Sequence, residues 1–217
     1  MNSNMALAVT LQDRLTELGG ISADRVRLEP APGYAKLSDL LKVNESGPRG
    51  LYELVDATLV EKAMGLEASI VAMAIGRILG YFVSKNQLGL VSGPDGFFQL
   101  LDSTRGPDVA FISRNRLPDS KFPTESYPAI APNLVVEVLS PGNTKAEMAR
   151  KRLEYFHSGV RLLWIVDCKN RSVAIYRSST EVSVVGEVDE IDGGDAVPGF
   201  SSPVADFFAD LDIGQSV

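Results

Sequence analysis

Leu11, Leu15 and Leu18 recur at helical spacing behind a Thr10-Leu11-Gln12-Asp13 capping-box start, and Gly19-Gly20 closes this first predicted helix. The stretch Glu29-Pro30-Ala31-Pro32-Gly33 breaks the chain before a second short helix carrying Leu37, Leu40 and Leu41. Gly47-Pro48-Arg49-Gly50 is another break. Leu51–Val55 and Thr58–Glu61 then read as two short strands joined around Asp56-Ala57, a hairpin whose turn lacks the usual glycine. From Leu66 to Val83 the period turns helical, with Ile70, Ala74, Ile78 and Phe82 on one stripe. That segment is apolar over much of its circumference, which predicts burial against a sheet.

The second half alternates strands and helices. Val91–Leu101 and Pro107–Ser113 read as strands on either side of a polar turn at Asp102-Ser103-Thr104, and Gly93-Pro94-Asp95-Gly96 reads as a turn. After a loop rich in Pro and Ser, Asn133–Ser140 is a nearly continuous apolar strand interrupted by one acid. Pro141-Gly142-Asn143-Thr144 breaks it, and the capping-box pair Thr144 and Glu147 opens a helix from Lys145 to about His157. Arg161–Asp167 follows as another apolar strand. Strand, helix and strand at this spacing predict a βαβ unit with parallel strands. Ala174–Arg177 and Val182–Val185 continue as a meander, and Pro203–Leu211 ends in a short helix. The pattern predicts an α/β domain with a mixed sheet over residues 51–212, preceded by a helical and loop lead-in over 1–50 and followed by a tail at 213–217.

Composition narrows the chemistry. At 217 residues the chain is long enough for one domain with a real core. No window is apolar throughout the roughly 18 residues of a membrane span, and Met1–Val9 lacks the positive region of a secretory signal. A cytoplasmic protein with no membrane partner is expected. Cys168 is the only cysteine and His157 the only histidine, which excludes an intrachain disulfide, multi-cysteine zinc sites and histidine-pair nucleases. A metal would therefore be held by carboxylates and carbonyls, which favours magnesium or manganese. The formal charge of −7 argues against tight non-specific DNA binding, while leaving room for a local cationic cleft.

Two acids stand at or inside apolar strands: Asp108 in Pro107-Asp108-Val109-Ala110-Phe111, and Glu137 in Val135-Val136-Glu137-Val138-Leu139-Ser140. A carboxylate in such a place is costly unless it is paired, hydrogen-bonded or bound to a cation. Glu137 alone is as readily a structural ion pair as a functional group; two such acids together invite a metal. A cation to neutralise charge on a phosphate would come from the following helix. On a helical wheel Met148, Ala149, Tyr155, Phe156 and Gly159 form the inward arc, with Arg152 near its middle and Lys151 at its edge. Wheel position favours Arg152, and both side chains could equally lay their stems on the surface and keep their charges in water. Ser140 has no histidine in its local sequence, His157 falls on the outer face, and Trp164 and Phe111 read as core.

The ordered set Leu51-Tyr52-Glu53-Leu54-Val55-Asp56, Pro107-Asp108, Glu137-Val138-Leu139-Ser140-Pro141, Lys151 four residues before Tyr155, Gly159-Val160, Trp164-Ile165-Val166-Asp167, Gly193-Gly194-Asp195 and Pro198-Gly199-Phe200 resembles the Uma family of restriction-endonuclease-like proteins. That family lies in the PD-(D/E)XK nuclease superfamily, and the resemblance covers roughly residues 50 to 210. It implies a restriction-endonuclease-like core with helices flanking the mixed sheet, and magnesium- or manganese-dependent hydrolysis of DNA phosphodiester bonds. It also implies Asp108 and Glu137 as metal-binding acids and Lys151 as the catalytic cation, displaced from the position two residues after the second acid, where this chain has Leu139. An additional acid would be Glu67, from the first core helix, with Glu53 as runner-up. Family members often carry a histidine near Glu67; here Ala68 and Ser69 stand there. A homodimer is expected by analogy with nucleases that cut both strands. The competing reading is a catalytically inactive nuclease-fold module for nucleic-acid or protein interaction.

Overall fold

The computed structural model describes residues 10–46 and 50–213. Met1–Val9, the Gly47-Pro48-Arg49 break and residues 214–217 lie outside the described residues. Helix α1 (Leu11–Glu17) starts at a Thr10–Asp13 capping box, and α2 (Leu37–Ser46) follows. Strands β1 (Tyr52–Val55) and β2 (Thr58–Glu61) form the expected hairpin. Its turn needs no glycine because Asp56 and Ala57 both take left-handed conformations, with φ of 45° and 51°.

Helix α3 (Leu66–Lys85) is followed by β3 (Gly89–Ser92), β4 (Phe98–Gln99), β5 (Ser103–Arg105) and β6 (Val109–Ser113). Two expectations are corrected here. Val91–Leu101 is not one strand, because the turn at Gly93-Pro94-Asp95-Gly96 splits it, and Ser103-Thr104 belongs to β5 rather than to a turn. Its polar side chains satisfied the signature of a loop, yet they are buried, and Ser103 donates to Glu154. Next come β7 (Leu134–Val138), α4 (Lys145–His157), β8 (Leu162–Asp167), β9 (Ser172–Tyr176) and β10 (Val182–Gly186). A ribbon of β11 (Glu190–Asp192) and β12 (Ser201–Pro203), which the pattern did not predict, precedes the short α5 (Ala205–Phe208).

The main sheet has six strands in the order β10-β9-β8-β7-β6-β3. Only β7 and β8, linked by α4, are parallel; every other pair is antiparallel. Strand alternation divides the central residues between two faces. Leu134, Val136, Val138, Trp164 and Val166 face the large core under α3 and α5, whereas Val135 and Leu163 face Tyr155 of α4. Glu137 shares the parity of Val135, so it points to the α4 side. Helix α3 does meet the length and mean hydropathy of a membrane span, contrary to the sequence reading, but Val71, Ala74, Ile75 and Leu79 are wholly buried as the stripe of a core helix.

A second sheet, β2-β1-β5-β4, stands beside the first. The lead-in locks it to α4. Arg25 donates to the Glu61 and Gly142 carbonyls and forks onto both oxygens of Glu147 at 2.7 and 3.1 Å. Gly19, at φ +98°, lies so close that a Cβ there would stand 2.6 Å from the Glu147 backbone. Removing one partner of a buried pair costs about 3–5 kcal/mol, so Arg25→Ala should lower the melting temperature by roughly 6–20 °C at the ~2–4 °C per kcal/mol of a domain this size. Differential scanning calorimetry checks this, and a change below about 2 °C would show that the clamp is not structural.

Candidate active site

Strand register brings the charged residues together. Continuing the β1–β5 pairing sets Glu53 across from Arg105, and the β1–β2 pairing sets Glu53 across from Val60. Lys62, two residues beyond Val60, projects to the same face of the hairpin. The chain then runs from Arg105 through Gly106 and Pro107 directly into β6, carrying Asp108 past Glu53. Gly106 is required there, because a Cβ would stand 2.8 Å from the Phe97 ring. Continuing the β6–β7 register places Asp108 across from Glu137. Asp108 has left the regular ladder: its N–H donates to the Val136 carbonyl, and its Oδ2 accepts from the Val138 N–H at 2.8 Å.

Lys151 comes from α4 and joins the acids. Its Nζ donates to both oxygens of Glu137 at 3.1 and 3.0 Å and lies 3.3 Å from Glu53 Oε1. The Tyr155 hydroxyl, one turn on, donates to Glu137 Oε1 at 2.5 Å. Glu53 Oε2 accepts from Arg105 at 2.8 Å, and its Oε1 accepts from the Gly106 N–H. Arg105 in turn pairs with Glu154, and Arg150 bridges Glu154 to Asp56. Lys62 donates to the Pro94 carbonyl at 3.1 Å and to Asp108 Oδ1 at 3.4 Å. Three carboxylates (Glu53, Asp108 and Glu137) thus interleave with three cations (Lys62, Arg105 and Lys151).

Burial and charge set opposite directions for the two deep acids. Burial would raise the Glu53 carboxyl, but Lys151, Arg105 and Lys62 outweigh it and hold it at about 2. Glu137 is pushed above the usual carboxylate range, by burial first; Lys151 opposes this, while the negative charges of Asp108 and Glu53 add to it. Lys151 is driven upward despite its burial, by Glu137 and Glu53. Asp108 is the open member: its side chain keeps 19% exposure, against 6% for Glu137 and 4% for Lys151. With Lys62 it lines a cavity of about 450 Å³ between α3 and the segment Val91–Pro94.

Among the expected residues, Asp108, Glu137, Lys151 and Glu53 come together, and Glu67 does not. Glu67 stands exposed in the first turn of α3, near Cys168, whose thiol is pushed up to about 11 by burial, Glu67 and Asp167. Arg152 stacks on the Tyr176 ring at 4.8 Å. The wheel misjudged α4 because its buried stripe includes Glu147 and Lys151, polar residues held inside by their partners. Lys62, Arg105 and Tyr155 were missed as members of the cluster. The alternation Val60, Glu61, Lys62 in the hairpin was the available signal for Lys62.

Among the described residues, no three Asp, Glu, His or Cys side chains form a ready-made metal cage, since cations separate the carboxylates. The donors of Asp108 and Glu137 are nonetheless all oxygen, one acid opens to a cavity, and magnesium commonly takes only one or two protein carboxylates. The donor type suits a hard divalent cation, and Lys62 and Lys151 contact the same carboxylates.

Comparison with known proteins agrees with this architecture. The Uma2 family model, described as "Putative restriction endonuclease", matches residues 37–205, well over half the chain. The fold is similar to the crystal structure of a "putative nuclease belonging to DUF820" from Anabaena variabilis, with a TM-score of 0.70 and 19% identity. That match covers 81% of this chain and 98% of the other. No curated protein matches.

Because Glu53 is depressed in the folded state, its contribution to stability is present above the ordinary value of 4.5 and is lost as pH falls toward about 2. Glu137, raised, acts in the opposite sense. Glu53→Gln should therefore cost about 3–5 kcal/mol at pH 7, and the cost should shrink on acidification across that window. Urea denaturation at a series of pH values tests this; a cost unchanged between pH 5 and pH 2.5 would contradict it.

Proposed function

The chain belongs to the Uma2 family of restriction-endonuclease-like proteins, and from that premise we propose that it is an endonuclease hydrolysing DNA phosphodiester bonds with magnesium or manganese. The observation that carries this reading is the gathering of Glu137 and Lys151, a buried ion pair, with Asp108, which alone of the three lines a cavity of about 450 Å³. Asp108 and Glu137 would hold the cation. When bound, it supplies positive charge to the phosphate under attack and lowers the pKa of the attacking water.

The chain's own residues do the rest by position. The Val138 N–H fixes Oδ2 of Asp108, Oδ1 carries the Lys62 contact, and the residue lines the cavity. Tyr155 and Lys151 hold Glu137 in one orientation. Lys151, held by Glu53 and Glu137, would supply the ammonium for the negative charge that develops on the phosphate. Glu53 is the additional acid on this reading, acting through Lys151; Glu67 has no part in it. The protein is read as a cytoplasmic homodimer, since cutting both strands calls for two sites.

Plasmid nicking with 5–10 mM-scale magnesium or manganese tests the assignment, with melting curves as the folding control. Asp108→Asn and Glu137→Gln should each reduce cleavage by at least ~100-fold, and Lys151→Met by a factor on the order of 10²–10³. Cleavage that survives both acid substitutions would overturn the assignment. An inert wild type with either metal would favour the non-catalytic interaction module.

A further inference from the structure

Lys62 has no part in the chemistry described so far, yet its side chain is 4% exposed and its ammonium lies on the one acid that opens to the cavity. The hairpin fixes where it can reach. Its backbone N–H donates to the Leu51 carbonyl at 2.7 Å, which continues the β1–β2 pairing and turns the side chain toward Glu53 and Asp108. Nζ is held by one carbonyl oxygen, Pro94, and one carboxylate oxygen, Asp108 Oδ1. The Asp108 contact, at 3.4 Å, is longer than the 2.7–2.9 Å of a strong charge-assisted hydrogen bond. Lys151, by contrast, is held by three carboxylate contacts from two acids.

The charges of the cluster are already balanced by Lys62, Arg105 and Lys151. A divalent cation entering at Asp108 would add two positive charges at a distance where Lys62 repels it. Of the three cations, Lys62 is the one with, among the described residues, a single acid within salt-bridge distance, together with a flexible stem and an open cavity beside it. We propose that Lys62 is a tethered stand-in cation: it neutralises Asp108 in the ion-free protein and withdraws into the cavity when a divalent cation binds. This positioning role rests on the metal-dependent reading above. It makes Lys62 a brake on metal affinity rather than a support for it.

Calorimetric titration of the wild type, Lys62→Met and Lys62→Arg with manganese chloride tests the proposal without any activity assay. Lys62→Met removes the competing charge at nearly constant volume, and should bind manganese roughly tenfold more tightly or better; Lys62→Arg should stay near the wild type. Asp108→Asn should abolish binding. Manganese binding of equal or weaker affinity in Lys62→Met would overturn the stand-in role alone. No binding by either protein at 10 mM manganese would overturn the metal-dependent reading and this inference together. A second measurement uses only the wild type: acetylation of Lys62 by a water-soluble ester, followed by mass spectrometry, should accelerate severalfold on adding manganese. An unchanged rate under saturating metal would also overturn the proposal.

Discussion

The ammonium of Lys151 between Glu53 and Glu137 is the contact on which the centre of the molecule depends. Two carboxylates buried this deeply would repel each other and favour protonation, and a buried lysine alone would shed its proton. Together they are mutually tolerable, and Arg105 and Tyr155 complete the hydrogen bonding that makes the burial affordable. The asymmetry between the acids follows from their partners. Glu53 has cations on several sides and is held low, whereas Glu137 is raised by burial first and by Asp108 and Glu53 after it.

This cluster is also the mechanical joint of the fold. Glu53 and Arg105 belong to the small sheet, Glu137 to the large one, Asp108 to the link just before β6, and Lys151 and Tyr155 to α4. The three-residue link Gly106-Pro107-Asp108 between β5 and β6 joins the two sheets covalently at the same place. Arg105, Glu154, Arg150 and Asp56 extend the charged contacts outward to the hairpin turn, and Arg25 on Glu147 ties the lead-in to the other end of the same helix. A site assembled from three elements in this way has little freedom to shift, which suits a constellation that must hold geometry to fractions of an ångström.

Much of this was legible in the sequence, for identifiable reasons. The capping boxes at Thr10 and Thr144 set helix starts correctly because they satisfy local backbone donors. The βαβ unit followed from two apolar strands spaced by one helix. Asp108 and Glu137 stood out because each is an acid in apolar surroundings. What escaped was whatever depended on long-range pairing. Ser103-Thr104-Arg105 is polar in sequence yet buried, because its partners Glu53 and Glu154 lie about 50 residues away in either direction. Lys151 could not be preferred over Arg152 by periodicity, since the wheel drew its inward arc from apolar residues and left Glu147 and Lys151 out of the buried stripe; the family resemblance, not the spacing, singled it out. For Lys62 the strand alternation gave the face, but the acid it meets, Asp108, lies 46 residues away.

The central proposal is that Asp108 and Glu137 would hold a divalent cation, with Lys151 supplying positive charge to the substrate. A crystal soaked in manganese, with data collected at an energy where manganese scatters anomalously, tests it in a single measurement. The account predicts one strong anomalous peak within coordination distance of both carboxylates. A peak elsewhere, or none at saturating manganese, would contradict it.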